Sequence, residues 1–189
     1  KETKQISFVF LGDGAVEEGV FYESLNFAIV KKLPVIFICE NNLYSVYSPL
    51  SVRQPLKRSL IKMCKSIGVK SLKCDGNNPI KAYKTLSKVE KYVRKIKEPY
   101  FIEFSTYRWL EHCGPNYDNK LGYRSEKEFL EWKKRDPLSI LKKKLQKKDS
   151  KEIIKIENQI RKEIKLAFNY AKKSPFPSKR DAYKGLYAK

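Results

Sequence analysis

No run of about 18 or more apolar residues occurs in this sequence, so no segment is suited to span a membrane as a helix. A signal-peptide pattern is also lacking. The start, Lys1-Glu2-Thr3-Lys4-Gln5, has no initiating Met and runs straight into a strand-like stretch, so residues upstream of Lys1 are expected to be missing. Cysteines are few. The four, at 39, 64, 74 and 113, match no paired zinc-ligand spacing. Cys39 sits inside an apolar run, as a free buried thiol would. Reduced thiols without a leader point to the cytoplasm or an organelle matrix. Histidine is scarcer still, with His112 the only one. Internal repeats and low-complexity tracts are absent.

What is present describes a globular chain. Hydrophobic residues make up 41% and charged residues 33% of 189 positions, enough for one compact domain and a helical appendage. Lys and Arg outnumber Asp and Glu by 41 to 21, a surplus of +20. That surplus raises nucleic-acid binding or a basic scaffold as a possible class. It is spread along the chain, is mostly Lys, and lacks the Arg-and-aromatic modules of RNA or DNA readers, which argues against that class.

Periodicity predicts an alternation of strand and helix. Ile6 to Leu11 reads as a buried strand. Ala15 to Lys32 reads as a helix with Val20, Phe21, Leu25, Ala28 and Ile29 on one face and Lys31 and Lys32 in its last turn. Pro34 stops it, and Val35 to Cys39 is a second buried strand. A helix over Pro55 to Ile67, a strand over Val69 to Cys74, a helix over Ile80 to Lys97 and a strand over Pro99 to Ser105 follow. The expected fold is α/β, a doubly wound, mostly parallel sheet with helices on both faces. Arg108 to Arg124 reads as a long loop, and long loops in compact domains are often functional. From Ser125 the chain turns helical, with a stripe of Ile153, Ile156, Ile160, Ile164 and Phe168 that suits either packing on the same chain or a subunit contact. The expected division is 1–124 for the α/β part and 125–189 for a C-terminal helical extension.

Ligands of such folds sit at the carboxyl ends of the strands. Gly12-Asp13-Gly14 lies at one such end. Its glycines permit a tight turn and close approach of a ligand, and the following helix start suits a phosphate; alone, Asp13 could equally cap that helix. Glu40-Asn41-Asn42-Leu43-Tyr44 ends the next strand on the same edge. A carboxylate, an amide oxygen and a main-chain carbonyl together suit Mg²⁺, which takes about six oxygens and keeps phosphate oxygens among them. The two loops would then clamp a diphosphate through the metal.

This pair of motifs resembles the thiamine diphosphate signature. The stretches Gly12-Asp13-Gly14-Ala15, Glu18-Gly19, Phe21 to Ala28, Lys32 to Phe37 and Glu40-Asn41-Asn42 are similar to the alpha subunit of 2-oxo acid dehydrogenase complexes. So are Thr106-Tyr107-Arg108-Trp109 with His112, Gly122 to Ser125, Lys134 to Pro137, Ser174 to Pro177 and Tyr187-Ala188. The resemblance implies that Asp13, Asn42 and the carbonyl of Tyr44 hold the metal. It implies that Gly14 and Ala15 place N–H groups near the diphosphate and that Gly12 serves the turn. His112 and Arg108 would lie over the cofactor and stabilise intermediates by proton donation and anion contact. Many members carry His-Gly-His-Ser where this chain has Leu110-Glu111-His112-Cys113, so the regulatory phosphorylation Ser of mammalian members is absent.

The resemblance also implies an activity: oxidative decarboxylation of a 2-oxo acid such as pyruvate, with acyl transfer to a lipoyl-bearing acyltransferase component. It implies that the upstream half of the cofactor domain is not in this sequence. The glutamate that activates the cofactor would come from a beta subunit, in a two-plus-two heterotetramer. An acetoin-cleaving or transketolase-like thiamine diphosphate enzyme would show the same clamp.

Overall fold

The computed structural model describes residues 4–146 and 149–187; within the quoted resemblance, Ala188 lies outside them. The chain divides into two compact units, Lys1–Ile140 and Leu141–Lys189.

The first unit is built on a parallel sheet. Its strands, among the described residues, are β1 (Ser7–Gly12), β2 (Val35–Asn41), β5 (Lys70–Asp75) and β6 (Tyr100–Ser105), in the order β1-β2-β6-β5. A small antiparallel pair, β3 (Tyr44–Ser45) and β4 (Ser48–Pro49), follows β2. Helices α1 (Gly19–Val30), α2 (Leu50–Arg53), α3 (Leu60–Ser66), α4 (Pro79–Ile96) and α5 (Glu126–Lys133) complete the unit, and α6 (Pro137–Gln146) begins in it.

Alternation along each strand assigns side chains to two cores. One face of the sheet contributes Phe37, Cys39 and Phe101, which pack with Phe21, Leu25 and Ala28 of α1 and Leu60 and Cys64 of α3. The other contributes Ile36, Ile38, Ile102 and Phe104, which pack with Val89 and Val93 of α4. Helices on both faces of a parallel sheet is the architecture expected from the sequence. Cys39 is a buried free thiol, as expected, and burial pushes it above the ordinary thiol range; burial likewise takes Cys64 up to about 12.

Three local expectations are corrected. β1 was expected to be buried, yet Phe8, Val9 and Phe10 are exposed, because among the described residues β1 pairs only with β2 and forms an open edge. The helix expected from Ala15 is instead a 3-10 turn, Ala15–Glu17, followed by α1. Val20 is exposed, and Lys31 and Lys32 lie beyond the end of α1: Lys32 takes φ 49° and Leu33 N donates to Ala28 O at 2.9 Å, which closes the helix. Third, the helix expected from Pro55 starts only at Leu60, where Ser59 caps it by accepting from Lys62 N at 3.3 Å.

The later helix starts are legible in the same terms. Asn78 caps α4 with Pro79 in its first turn, and Ser125 caps α5 by accepting from Glu128 N at 3.1 Å. In the second unit α7 (Ser150–Lys173) is capped by Asp149. It carries the expected stripe, of which Ile153 is half-buried and Ile156, Ile160, Ile164 and Phe168 are exposed. No described helix is long and apolar enough to cross a membrane.

Candidate functional site

Parallel pairing brings the two motif loops to one place. Gly12 pairs with Glu40, so Asp13 and the segment Asn41 to Tyr44 leave adjacent strands on the same edge of the sheet. The loops are in close contact. A Cβ on Gly14 would lie 2.5 Å from Ser45 Oγ, so only glycine fits at 14 without pushing the loops apart.

Asp13 is 1% exposed and caps no helix. Its carboxylate pairs with the guanidinium of Arg53. The same guanidinium donates to Glu17 Oε1 at 2.5 Å and to Ser48 O at 3.1 Å, and Gln54 donates to Glu17 Oε1 at 2.7 Å. Gly14 and Ala15 act as carbonyl acceptors for Glu17 N and Glu18 N in the 3-10 turn.

The turn after β2 is held by two asparagine side chains. Asn41 Oδ1 accepts from Leu43 N at 3.1 Å, and Asn42 Oδ1 accepts from Tyr44 N at 2.9 Å. Leu43 and Val46 take left-handed backbone, φ 74° and 54°, which costs about 1–3 kcal/mol each in residues with a Cβ and persists only where the surroundings dictate it. Asn42 Oδ1 retains a second lone pair. Asn42 Oδ1, the Tyr44 carbonyl and the Asp13 carboxylate, the last paired with Arg53, are oxygens of the type Mg²⁺ prefers. No group of three or more His, Cys, Asp or Glu able to hold a metal occurs among the described residues, so a cation here would depend on amide and main-chain oxygens.

The third element is the loop after β6. Arg108 donates to Val46 O at 3.0 Å, to Leu110 O at 2.8 Å and to the Tyr123 hydroxyl at 3.0 Å, and its Nη1 lies 3.4 Å from His112 Nδ1. The two candidate catalytic side chains are therefore neighbours, and Arg108 ties the loop to the Asn42–Val46 turn. Beneath them Asp118 is buried. It pairs with Arg124 at 2.5 Å and accepts from the Tyr123 hydroxyl at 2.7 Å. Burial acts to raise the Asp118 carboxyl, but the Tyr123 hydroxyl, Arg124 and Arg108 outweigh it and hold the group below its usual range.

An aromatic floor supports this loop. Tyr107 stacks on Trp132 with centroids 5.3 Å apart, and Tyr44 meets Tyr123 edge-on at 5.3 Å. The Tyr44 hydroxyl donates to Glu128 of α5 at 2.6 Å; burial first, and then Glu128, push its phenol above the ordinary range.

The residues singled out from sequence thus fall into one region: Gly12, Asp13, Gly14 and Ala15 on one loop, Asn42 and Tyr44 on the next, Arg108 and His112 on the third. Sequence reasoning missed Arg53, Gln54, Asp118, Arg124 and Glu103. Only Glu103 gave a signal, as an acid within the apolar strand Phe101-Ile102-Glu103-Phe104.

The model of the dehydrogenase E1 component family matches residues 1–180. The chain belongs to that family. Among its E1 relatives, pyruvate dehydrogenase E1 component subunit alpha of Rickettsia felis is 35% identical over 98% of this chain and 56% of its own length. The 2-oxoisovalerate dehydrogenase subunit alpha of Bacillus subtilis is 36% identical over 72% of this chain and 41% of its own. Among solved structures, a Campylobacter jejuni transketolase aligns with TM-score 0.45 at 24% identity, covering 55% of this chain and 16% of that one. The E1 chain described here therefore spans about half the length of the curated relatives it matches.

Proposed function

We propose that this chain is the cofactor-clamping part of an E1 alpha subunit that decarboxylates a 2-oxo acid, pyruvate in the first instance, with thiamine diphosphate and Mg²⁺. The observation that carries the reading is the packing of Gly14 against Ser45, which sets the Asp13 loop directly beside the Asn42 turn. Asp13, Asn42 and the Tyr44 carbonyl would hold the cation, Gly14 and Ala15 would present N–H groups to the diphosphate, and Gly12 would serve the turn. When bound, thiamine diphosphate supplies the electron sink for loss of carbon dioxide.

The chain's own residues do the rest. Arg108 would face an anionic group, and His112 beside it would hold or move a proton. Acyl transfer to a lipoyl group on an acyltransferase component follows from the family reading, as does a beta subunit that completes the site in a two-plus-two assembly. Residues 1–124 would be the C-terminal part of the cofactor domain. The open edge of β1, with Phe8 and Phe10 exposed, supports a further strand packing there. The name of the Bacillus subtilis relative favours a branched-chain 2-oxo acid as the second substrate reading.

Calorimetry on the complete alpha–beta assembly tests the proposal. Asp13→Ala is expected to abolish Mg²⁺-dependent thiamine diphosphate binding. Cofactor affinity unchanged by that substitution would remove the clamp and the reading with it.

A further inference from the structure

One acidic side chain lies deep in the sheet and has no part in the chemistry above. Glu103 sits in the middle of β6, paired across the ladder with Cys39 of β2 and Lys73 of β5, and is 4% exposed. Its strand neighbours Phe101, Ile102 and Phe104 are all buried. Burying a carboxylate is costly unless it is paired and hydrogen-bonded. Glu103 Oε1 accepts from Lys73 Nζ at 2.9 Å and from Asn41 Nδ2 at 3.0 Å.

The second of those bonds reaches the candidate clamp. Asn41 immediately precedes Asn42, and three of its polar groups have partners. Nδ2 donates to Glu103, Oδ1 accepts from Leu43 N at 3.1 Å, and the main-chain carbonyl accepts from Thr106 N at 3.0 Å. A carboxylate only accepts. Facing Glu103, the Asn41 amide must present its NH₂ there, which turns Oδ1 towards Leu43 N–H. In the opposite orientation, oxygen would face oxygen at Glu103 and donor would face donor at Leu43. The acid therefore dictates the amide orientation that closes the turn in which Leu43 is left-handed.

We infer that Glu103 is a positioning residue for the cation-binding turn, acting through Asn41 on the placement of Asn42 and the Tyr44 carbonyl. The inference rests on the clamp reading above. Groups behind metal ligands that orient them are worth about 10–100-fold in metal affinity.

The test is the Mg²⁺ requirement of the complete alpha–beta assembly, titrated at saturating thiamine diphosphate and read by calorimetry. Glu103→Leu is expected to raise the half-saturating Mg²⁺ concentration by about ten-fold or more. Glu103→Gln, whose side-chain oxygen can still accept from Asn41, is expected to restore most of that affinity. Lys73→Met removes only the exposed partner and is expected to leave it unchanged. If Glu103→Leu fails to assemble, Asn41→Ala carries the same expectation. A merely structural role would lower the melting temperature of Glu103→Leu and Glu103→Gln alike and leave the Mg²⁺ requirement alone, which overturns the inference. So would wild-type Mg²⁺ affinity in Glu103→Leu or Asn41→Ala. If the unsubstituted assembly itself shows no Mg²⁺ dependence, it is the clamp that fails, and this inference falls with it.

Discussion

At the scale of single residues, what can be read from sequence depends on how far away a side chain's partner lies. Asp13 and Asn42 stand out because glycines and strand ends surround them locally. Arg53 does not, because nothing near it announces a carboxylate 40 positions away. Glu103 and Asn41 are 62 apart and meet only once the strand order is known. Asp118 is local to Arg124 and Tyr123, but polar residues in a loop read as solvent-exposed, and only the structure shows them buried. This buried pair makes a stability prediction. Asp118→Ala leaves Arg124 without its carboxylate in the interior and is expected to cost about 3–5 kcal/mol, measured by chemical denaturation. The pH dependence follows from the same shift. The folded Asp118 carboxyl lies below its unfolded value, so its contribution is present above about pH 4 and is lost as pH falls through the folded value. Protection of the Arg108–Arg124 loop from limited proteolysis should therefore hold at neutral pH and fail in acid, and Asp118→Asn should lack that acid transition.

At the scale of elements, the strands and long helices were legible because their apolar spacing and caps are local. The errors fell on boundaries and turns. Pro55 marks a break, but Ser59 supplies the cap, so α3 starts later than proline placement suggests. The left-handed residues Leu43 and Val46 were not legible at all, since branched and bulky side chains disfavour that conformation. Bonds from outside the turn hold it here, Leu50 N to Leu43 O at 2.8 Å and, over a long range, Arg108 to Val46 O. Val46 is the more strained type, being β-branched. Val46→Gly should relieve that strain and raise stability by about 1 kcal/mol net of the added freedom of the unfolded chain, seen as a higher melting temperature. A lower melting temperature would mean that the Val46 side chain contributes more than the strain it carries.

At the scale of the molecule, the described sheet ends at β1 on one side of β2 and runs on through β6 to β5 on the other. Phe8 and Phe10 pair in register with Ile36 and Ile38, so they continue the apolar face that α4 covers further along the sheet. An unpaired edge with exposed aromatic side chains is a template for association. The 189-residue chain on its own is expected to associate in a concentration-dependent way despite its charge of +20. The double substitution Phe8→Lys, Phe10→Lys should make it monomeric in sedimentation velocity, and unchanged association would direct attention to another surface. Sequence could not show that β1 is an edge, because an apolar run looks the same in a central strand as in an open one.

Strand order has a last consequence for the candidate clamp. β2 and β6 each have a partner on both sides, and they carry Asn41 and Glu103. Such inner strands are the part of a domain that opens last, after termini and surface segments have frayed. The Asn42 turn is thus hung from an inner strand of the sheet. The Arg108–Arg124 segment is moored to the same support, through Arg108 on Val46 O and Tyr123 against Tyr44.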